Sequence, residues 1–214
     1  MKTSALIILI FSPFIILSCD PLNDNISPKL DNKLTMISSF PLEPLSEQEI
    51  SSIYFMREEE KLARDVYGFL YDKYSVIVFN NISESEQSHM DAVLQLINRY
   101  DLSDPAEDTH FGEFQNAELQ QLYDDLISQG SDNIIEALKV GAVIEEIDII
   151  DIQNDLDTSI DNQDINYVYE NLLKGSRNHL RAFVKNLSNR GIIYNPEYLS
   201  QELYNSIINS EKEN

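Results

Sequence analysis

The stretch Ile82-Ser-Glu-Ser-Glu86-Gln-Ser-His89-Met-Asp-Ala-Val93-Leu-Gln-Leu96-Ile-Asn-Arg-Tyr100 decides the fold. Residues three apart share one face of a helix, so Glu86 and His89 lie one turn from each other. Val93, Leu96 and Tyr100 continue that face, so both polar groups point toward a core. A carboxylate there is costly unless something compensates it. A metal ion does so, because carboxylate oxygen and imidazole nitrogen both bind iron, manganese or zinc. Four-helix carboxylate metal sites use such parts: a glutamate from one helix and a Glu-x-x-His pair from the next, in each half of the bundle. Ser83-x-x-Glu86 also fits a capping box, in which Glu86 folds back on the start of a helix. The motif alone leaves both readings open.

Composition sets the frame. The chain has 214 residues, 43% hydrophobic and 24% charged, which is globular rather than disordered. Glycine (6) and proline (7) are few, and no long stretch alternates as a strand does, so the expected class is all-α. The formal net charge of −22 repels phosphate backbones and argues against nucleic acid as a partner. Solubility explains the acidity as readily as attraction of cations does.

Lys2, the apolar run Ala5 to Leu17 and then Ser18-Cys19-Asp20 describe a secretory signal over residues 1–18, too short for a membrane span of ~20 residues. Ile16-Leu17-Ser18-Cys19 resembles the bacterial lipobox, although Leu17 is not the commonest residue at its position. The resemblance implies lipidation of Cys19, the single cysteine, and anchoring at the membrane surface of a bacterial cell envelope. No disulfide within the chain can form. Residues 19–45, rich in Asn, Ser, Pro and Asp, read as a flexible tether.

Residues 46–205 read as the folded domain, with a polar tail over 206–214. A first helix starts at the capping box Ser46-Glu47-Gln48-Glu49 and runs to about Tyr74. Met56, Ala63, Tyr67 and Leu70 share a face with Glu60 on its edge. Glu59 lies nearer the centre of the apolar arc with Phe55, Leu62 and Val66, so periodicity does not choose between the two glutamates. Arg57, Glu58 and Lys61 read as solvated. Ser75 to Asn81 reads as a loop into the second helix. A long polar crossover follows, carrying a short helix Ala117 to Gln129 capped by Asn116 and closed by Gly130. The third long helix runs from Ser131 or Asp132 to about Leu156. Glu145 falls in the middle of its apolar stripe, Glu146 at the edge and Asp148 on the other shoulder. The fourth, after Asp161 or Asp164, runs to about Leu187 and carries His179 in its inward arc, where a histidine is also an ordinary core residue. A short helical segment ends near Ile208.

Glu60 followed by Glu86-x-x-His89, and Glu145 followed by Ser176-x-x-His179, form a weak internal repeat of a helix pair. Glu60-Lys-Leu-Ala63-Arg64-Asp-Val-Tyr67 resembles the first-helix pattern of rubrerythrin-like proteins. Glu86-x-x-His89 resembles the second-helix motif of the ferritin-like superfamily. Met56 to Tyr67, Asn81 to Ala92, Gly141 to Asp151 and Gly175 to Phe183 are similar to a prokaryotic ferritin-like branch of unknown function, over about Ser46 to Tyr204. The resemblance implies a ferritin-like four-helix bundle and favours Glu60 over Glu59. It implies a dinuclear, di-iron-type site on Glu60, Glu86, His89, Glu145 and His179, holding two iron ions, with manganese or zinc as substitutes. Tyr67 falls near the metals, as an electron relay or as a core aromatic. The departure is Ser176, where the pattern has a glutamate and serine is a poor ligand. Asp148 is one substitute; Glu59, Glu146 and Ser176 itself complete the weaker candidates. The expected activity is an oxidoreductase acting with oxygen or peroxide. The alternatives are storage or sensing without turnover, and a metal-free scaffold with Glu86–His89 and Glu145–His179 pairs. A homodimer suits a tethered protein better than a closed cage.

Overall fold

The structure, a computed structural model, describes residues 36–213. The expected signal peptide, Cys19 and most of the tether lie outside the described residues. Among these, six helices exceed two turns: α1 (Glu47–Tyr74), α2 (Ile77–Arg99), α3 (Ala117–Gly130), α4 (Ile134–Thr158), α5 (Gln163–Ser188) and α6 (Gln201–Asn209). None is long and apolar enough to cross a membrane.

Local chemistry sets the starts. Ser46 and Glu49 form the reciprocal capping box of α1. Asn116 and Asn133 cap α3 and α4 by accepting two backbone N–H groups each, satisfying donors that a helix start leaves free. Three starts differ from expectation, that of α4 slightly, since Asn133 rather than Ser131 or Asp132 precedes it. The second helix begins at Ile77, so residues 77–81 are helical rather than a loop. Ser83 therefore sits inside α2, where its hydroxyl donates to the Arg64 carbonyl at 3.1 Å, and the capping-box reading of Ser83-x-x-Glu86 falls. The last long helix is capped at Asn162, with Asp164 already in its first turn.

Short linkers make α1–α2 and α4–α5 antiparallel hairpins. The hairpins pack face to face, with α1 against α4 and α2 against α5. Tyr67, Phe79 and Phe183 meet across this core, their centroids 5.2 to 6.5 Å apart. Gly141 lets α4 close on α5: a Cβ there would collide with the Phe183 ring.

The crossover packs along α1 from Arg57 to Tyr74 and buries charges expected in solvent. Arg57 pairs with Asp104 and donates to the Met90 carbonyl. Glu58 accepts from the Gln115 and Asn116 amides. Lys61 pairs with Asp65 at 2.7 Å and donates to the His110 and Glu113 carbonyls. Arg57, Glu58 and Lys61 are all buried. Glu58 and Lys61 satisfy crossover backbone groups that would otherwise lose water unpaired, and Arg57 ties the crossover's Asp104 to α2.

The domain's edges also differ from expectation. Ile37, in a helical turn over 36–39, is buried, and the Phe40 carbonyl accepts from Arg99, so the end of the expected tether is docked. Past residue 205, Ile207 is buried and Glu213 is clasped by Arg177 and Arg181, so the polar tail is packed as well.

Candidate metal centre

The internal repeat converges in space. α1 supplies Glu60, α2 supplies Glu86 and His89, α4 supplies Glu145, and α5 supplies His179; all five are buried. His89 Nδ1 lies 2.7 Å from Glu86 Oε2 and 3.1 Å from Glu60 Oε2. His179 Nδ1 lies 2.8 Å from Glu86 Oε1 and 3.4 Å from Glu145 Oε2. The two imidazoles stack with centroids 5.4 Å apart. Glu86 thus offers one oxygen to each half.

Two sets of donor atoms result, Glu60/Glu86/His89 and Glu86/Glu145/His179, each with its atoms within 4.8 Å of one another. Ligand atoms about 2 Å from a common ion must crowd in this way. Both Glu86 oxygens, Glu60 Oε1, Glu145 Oε2 and His179 Nδ1 are buried without an aligned hydrogen bond. They approach one another closely but do not aim hydrogens at one another.

Neighbouring groups orient the set. His179 Nε2 is 2.9 Å from Ser85 Oγ. Burial lowers His179, but Glu86 and Glu145 outweigh it and push it well above its ordinary range; once the Nδ1 proton leaves, a hydrogen on Nε2 donated to Ser85 holds the ring with Nδ1 inward, the usual way a second partner fixes a histidine ligand. Tyr67 O–H donates to Glu145 Oε1 at 2.5 Å and to the Gly141 carbonyl at 3.2 Å. Gly175 sits under the His89 ring, where a Cβ would lie 2.5 Å from Cε1 and Nε2.

Electrostatics follow from burial and excess negative charge. Burial pushes Glu60 up to about 7 against the pull of His89, and Glu145 up to about 7 against the pull of His179. Burial also acts to raise Glu86, but His179 and His89 outweigh it and hold Glu86 below the usual carboxylate range. Burial lowers His89, while Glu60 and Glu86 more than reverse this, to about 10.

The weaker candidates separate. Glu146 is turned away: it accepts from Tyr194 O–H at 2.5 Å and from the Glu197, Tyr198 and Leu199 amides, and so anchors the segment before α6. Ser176 is buried and donates to the Leu172 carbonyl at 3.2 Å. Glu59 and Asp148 are buried near the cluster but belong to neither set. Asp148 lies in the field of Glu59 and Glu145, and burial and those charges push it well above the ordinary range. The sequence reading did not single out Ser85 or Gly175; a small residue one turn from each histidine is too common a pattern to flag them.

The sequence of MJ0754, an uncharacterised protein of Methanocaldococcus jannaschii, is 50% identical over 180 residues, covering 84% of this chain and 97% of the relative. The crystal structure of that hypothetical protein matches with a TM-score of 0.79, covering 81% of this chain and 98% of that one. A model of an uncharacterised protein domain, DUF2202, matches residues 49–211, and the chain belongs to that family.

Proposed function

We propose that the chain is a ferritin-like metal-binding protein holding a dinuclear centre, with Glu60, Glu86 and His89 at one ion and Glu86, Glu145 and His179 at the other. Charge balance carries the reading. Glu59, Glu60, Glu86, Glu145 and Asp148 are five buried acids around two histidines, while the buried Arg57 and Lys61 are committed to Asp104 and Asp65. Two imidazolium ions cannot neutralise five carboxylates, so without a metal the surplus acids keep their protons, in line with the raised Glu60, Glu145 and Asp148, and ionising them all carries a cost. Divalent cations offset it with the donor types present.

Iron is the proposed metal, with manganese or zinc as substitutes. When bound, a redox-active pair would supply electrons to an oxidant such as oxygen or peroxide, with an external electron donor restoring them. Glu86 holds the two positions together through its separate oxygens. Ser85 keeps His179 Nδ1 directed inward, and Tyr67 holds Glu145 and carries a proton at its hydroxyl. Export and a lipid anchor on Cys19 belong to the same proposal.

Ser176 favours a second reading, metal storage or sensing without turnover, because it removes one carboxylate from the pattern. Elemental analysis of protein made in iron-supplemented medium, beside a Glu86→Ala/His89→Ala double variant, tests metal binding. About two ions per chain in the wild type and none in the variant support it; an empty wild type overturns it. Steady peroxide consumption by the loaded protein then excludes the second reading. A third reading, a metal-free scaffold, rests on the close Glu86–His89 and Glu145–His179 pairs. It predicts unchanged metal content and lost stability in the double variant.

A further inference from the structure

Glu59 is 2% exposed and neither of its carboxylate oxygens meets a basic or amide donor; its polar neighbour is another acid, Asp151. Asp148, also 2% exposed, leaves Oδ2 unpartnered. A structural acid in a helix interface is held by donors, as Glu58 and Glu146 are here. These two are not: each must keep a proton or meet a cation.

They form the inner end of a line of acids. On α4, Glu145, Asp148, Asp151 and Asp155 follow one another at intervals of three or four residues, one per turn along one stripe. The antiparallel α1 faces them with Glu60, Glu59 and, two turns back, Ser52. At the outer end Ser52 Oγ donates to Asp155 Oδ2 at 2.5 Å and lies 2.8 Å from the Tyr169 hydroxyl. Ser52 and Asp155 also line a surface cleft of about 460 Å³, with Glu47, Gln48 and Ser51 and no basic residue. Further in, half-buried Asp151 faces Glu59. The charges acting most strongly on Glu59 are Asp151, Glu60 and Asp155. Those acting on Asp148 are Glu59, Glu145, Glu60 and Glu86. The seam is acidic from cleft to centre.

We propose that this seam between α1 and α4 is the route by which divalent cations reach the dinuclear centre, entering at Asp155 and passing Asp151, Glu59 and Asp148. The proposal rests on the metal reading above. Oxygen donors replace the cation's water stepwise along the path. Transit rather than residence follows from the donor count. Among the described residues, none of Glu59, Asp148 and Asp151 belongs to a group of three converging donors, so each position holds an ion more weakly than the centre does.

Stopped-flow uptake of Co²⁺ by the metal-free full chain tests the route, read by the ligand-field absorbance of the bound ion. The variants are Asp151→Asn, half-buried and tolerant, Glu59→Gln, which keeps its shape, and Asp155→Asn at the mouth. Exposed Glu118→Gln controls for net charge. A focused acidic cleft speeds cation arrival by about tenfold or more. Asp151→Asn and Asp155→Asn should each slow uptake and release together by about tenfold, leaving the final stoichiometry and affinity as in the wild type, while Glu118→Gln changes neither rate. Unchanged rates in both seam variants overturn the route. Loss of a bound ion in Glu59→Gln also overturns it, by making Glu59 a resident ligand. A wild type that takes up no Co²⁺ removes the metal reading itself, a result seen without any variant, and the route goes with it.

Discussion

Gly175 on α5 lies beneath the imidazole of His89 on α2, so close that a single added methyl would reach within 2.5 Å of Cε1 and Nε2. The ring cannot simply swing away, because its Nδ1 is set against Glu60 and Glu86 at 3.1 and 2.7 Å. Gly175→Ala should therefore cost about 1–3 kcal/mol of stability through overpacking and weaken metal binding by about 10- to 100-fold. Thermal unfolding of the metal-free protein and Co²⁺ titration measure the two effects separately. Wild-type affinity in Gly175→Ala would show that the ring's position is not set by this contact.

Glu86 is the group both histidines share. Glu86→Gln keeps the shape and removes the charge, so the metal-free variant should lose about 3 kcal/mol, the scale of a broken buried ion pair. It should also fail to hold two ions. Denaturant unfolding and metal content report on these independently, and a variant that loses stability yet still binds both ions contradicts the bridging role.

Metal uptake should release protons. In the metal-free protein His89 is held at about 10, above its ordinary 6.5, by Glu60 and Glu86 despite burial. Its contribution to stability is therefore complete below about 6.5 and is lost as pH rises through about 10. At neutral pH the proton on Nδ1 must leave before a cation can bind there. Affinity should rise with pH through the neutral range. Calorimetry in buffers of different ionisation enthalpy should register about one proton or more released per chain, and buffer-independent heats would show that His89 binds no ion.

Glu146 should behave unlike its neighbour Glu145. Glu146→Ala removes the acceptor for Tyr194 O–H and for three consecutive backbone amides. A cost of about 3 kcal/mol is expected from stranding those donors, with metal content unchanged. Hydrogen exchange should show lost protection over Tyr194 to Leu199 and in α6. Loss of metal without loss of protection would return Glu146 to the candidate ligands.

Much of the arrangement was legible because the sequence states it locally. The caps at Ser46 and Asn116 are short-range chemistry, and the helices follow from them. Glu60, Glu86, His89, Glu145 and His179 stood out as polar groups on apolar stripes, and the structure brings them together. The misreadings share one cause. Arg57, Glu58 and Lys61 are charged and so read as solvated, yet the crossover covers them, and no periodicity within α1 can show what a segment some fifty residues away will do. The start of α2 was hidden by Asn80 and Asn81, poor helix formers that tertiary packing overrides. Glu146 lay at the edge of its stripe, and its partners come from a loop about fifty residues later.

Residues 57–61 of α1 are five consecutive charged side chains, all buried, and they look in different directions: toward the crossover, toward the α4 seam and toward the paired histidines. In an isolated α1–α2 hairpin that turn would be wet, and its charges would be hydrated at no cost. Dehydrating it requires the crossover and α4 to arrive with their partners already in register, since half a set of contacts leaves a charge stranded. Closure over this turn therefore depends on matching charges as well as on burying the apolar core.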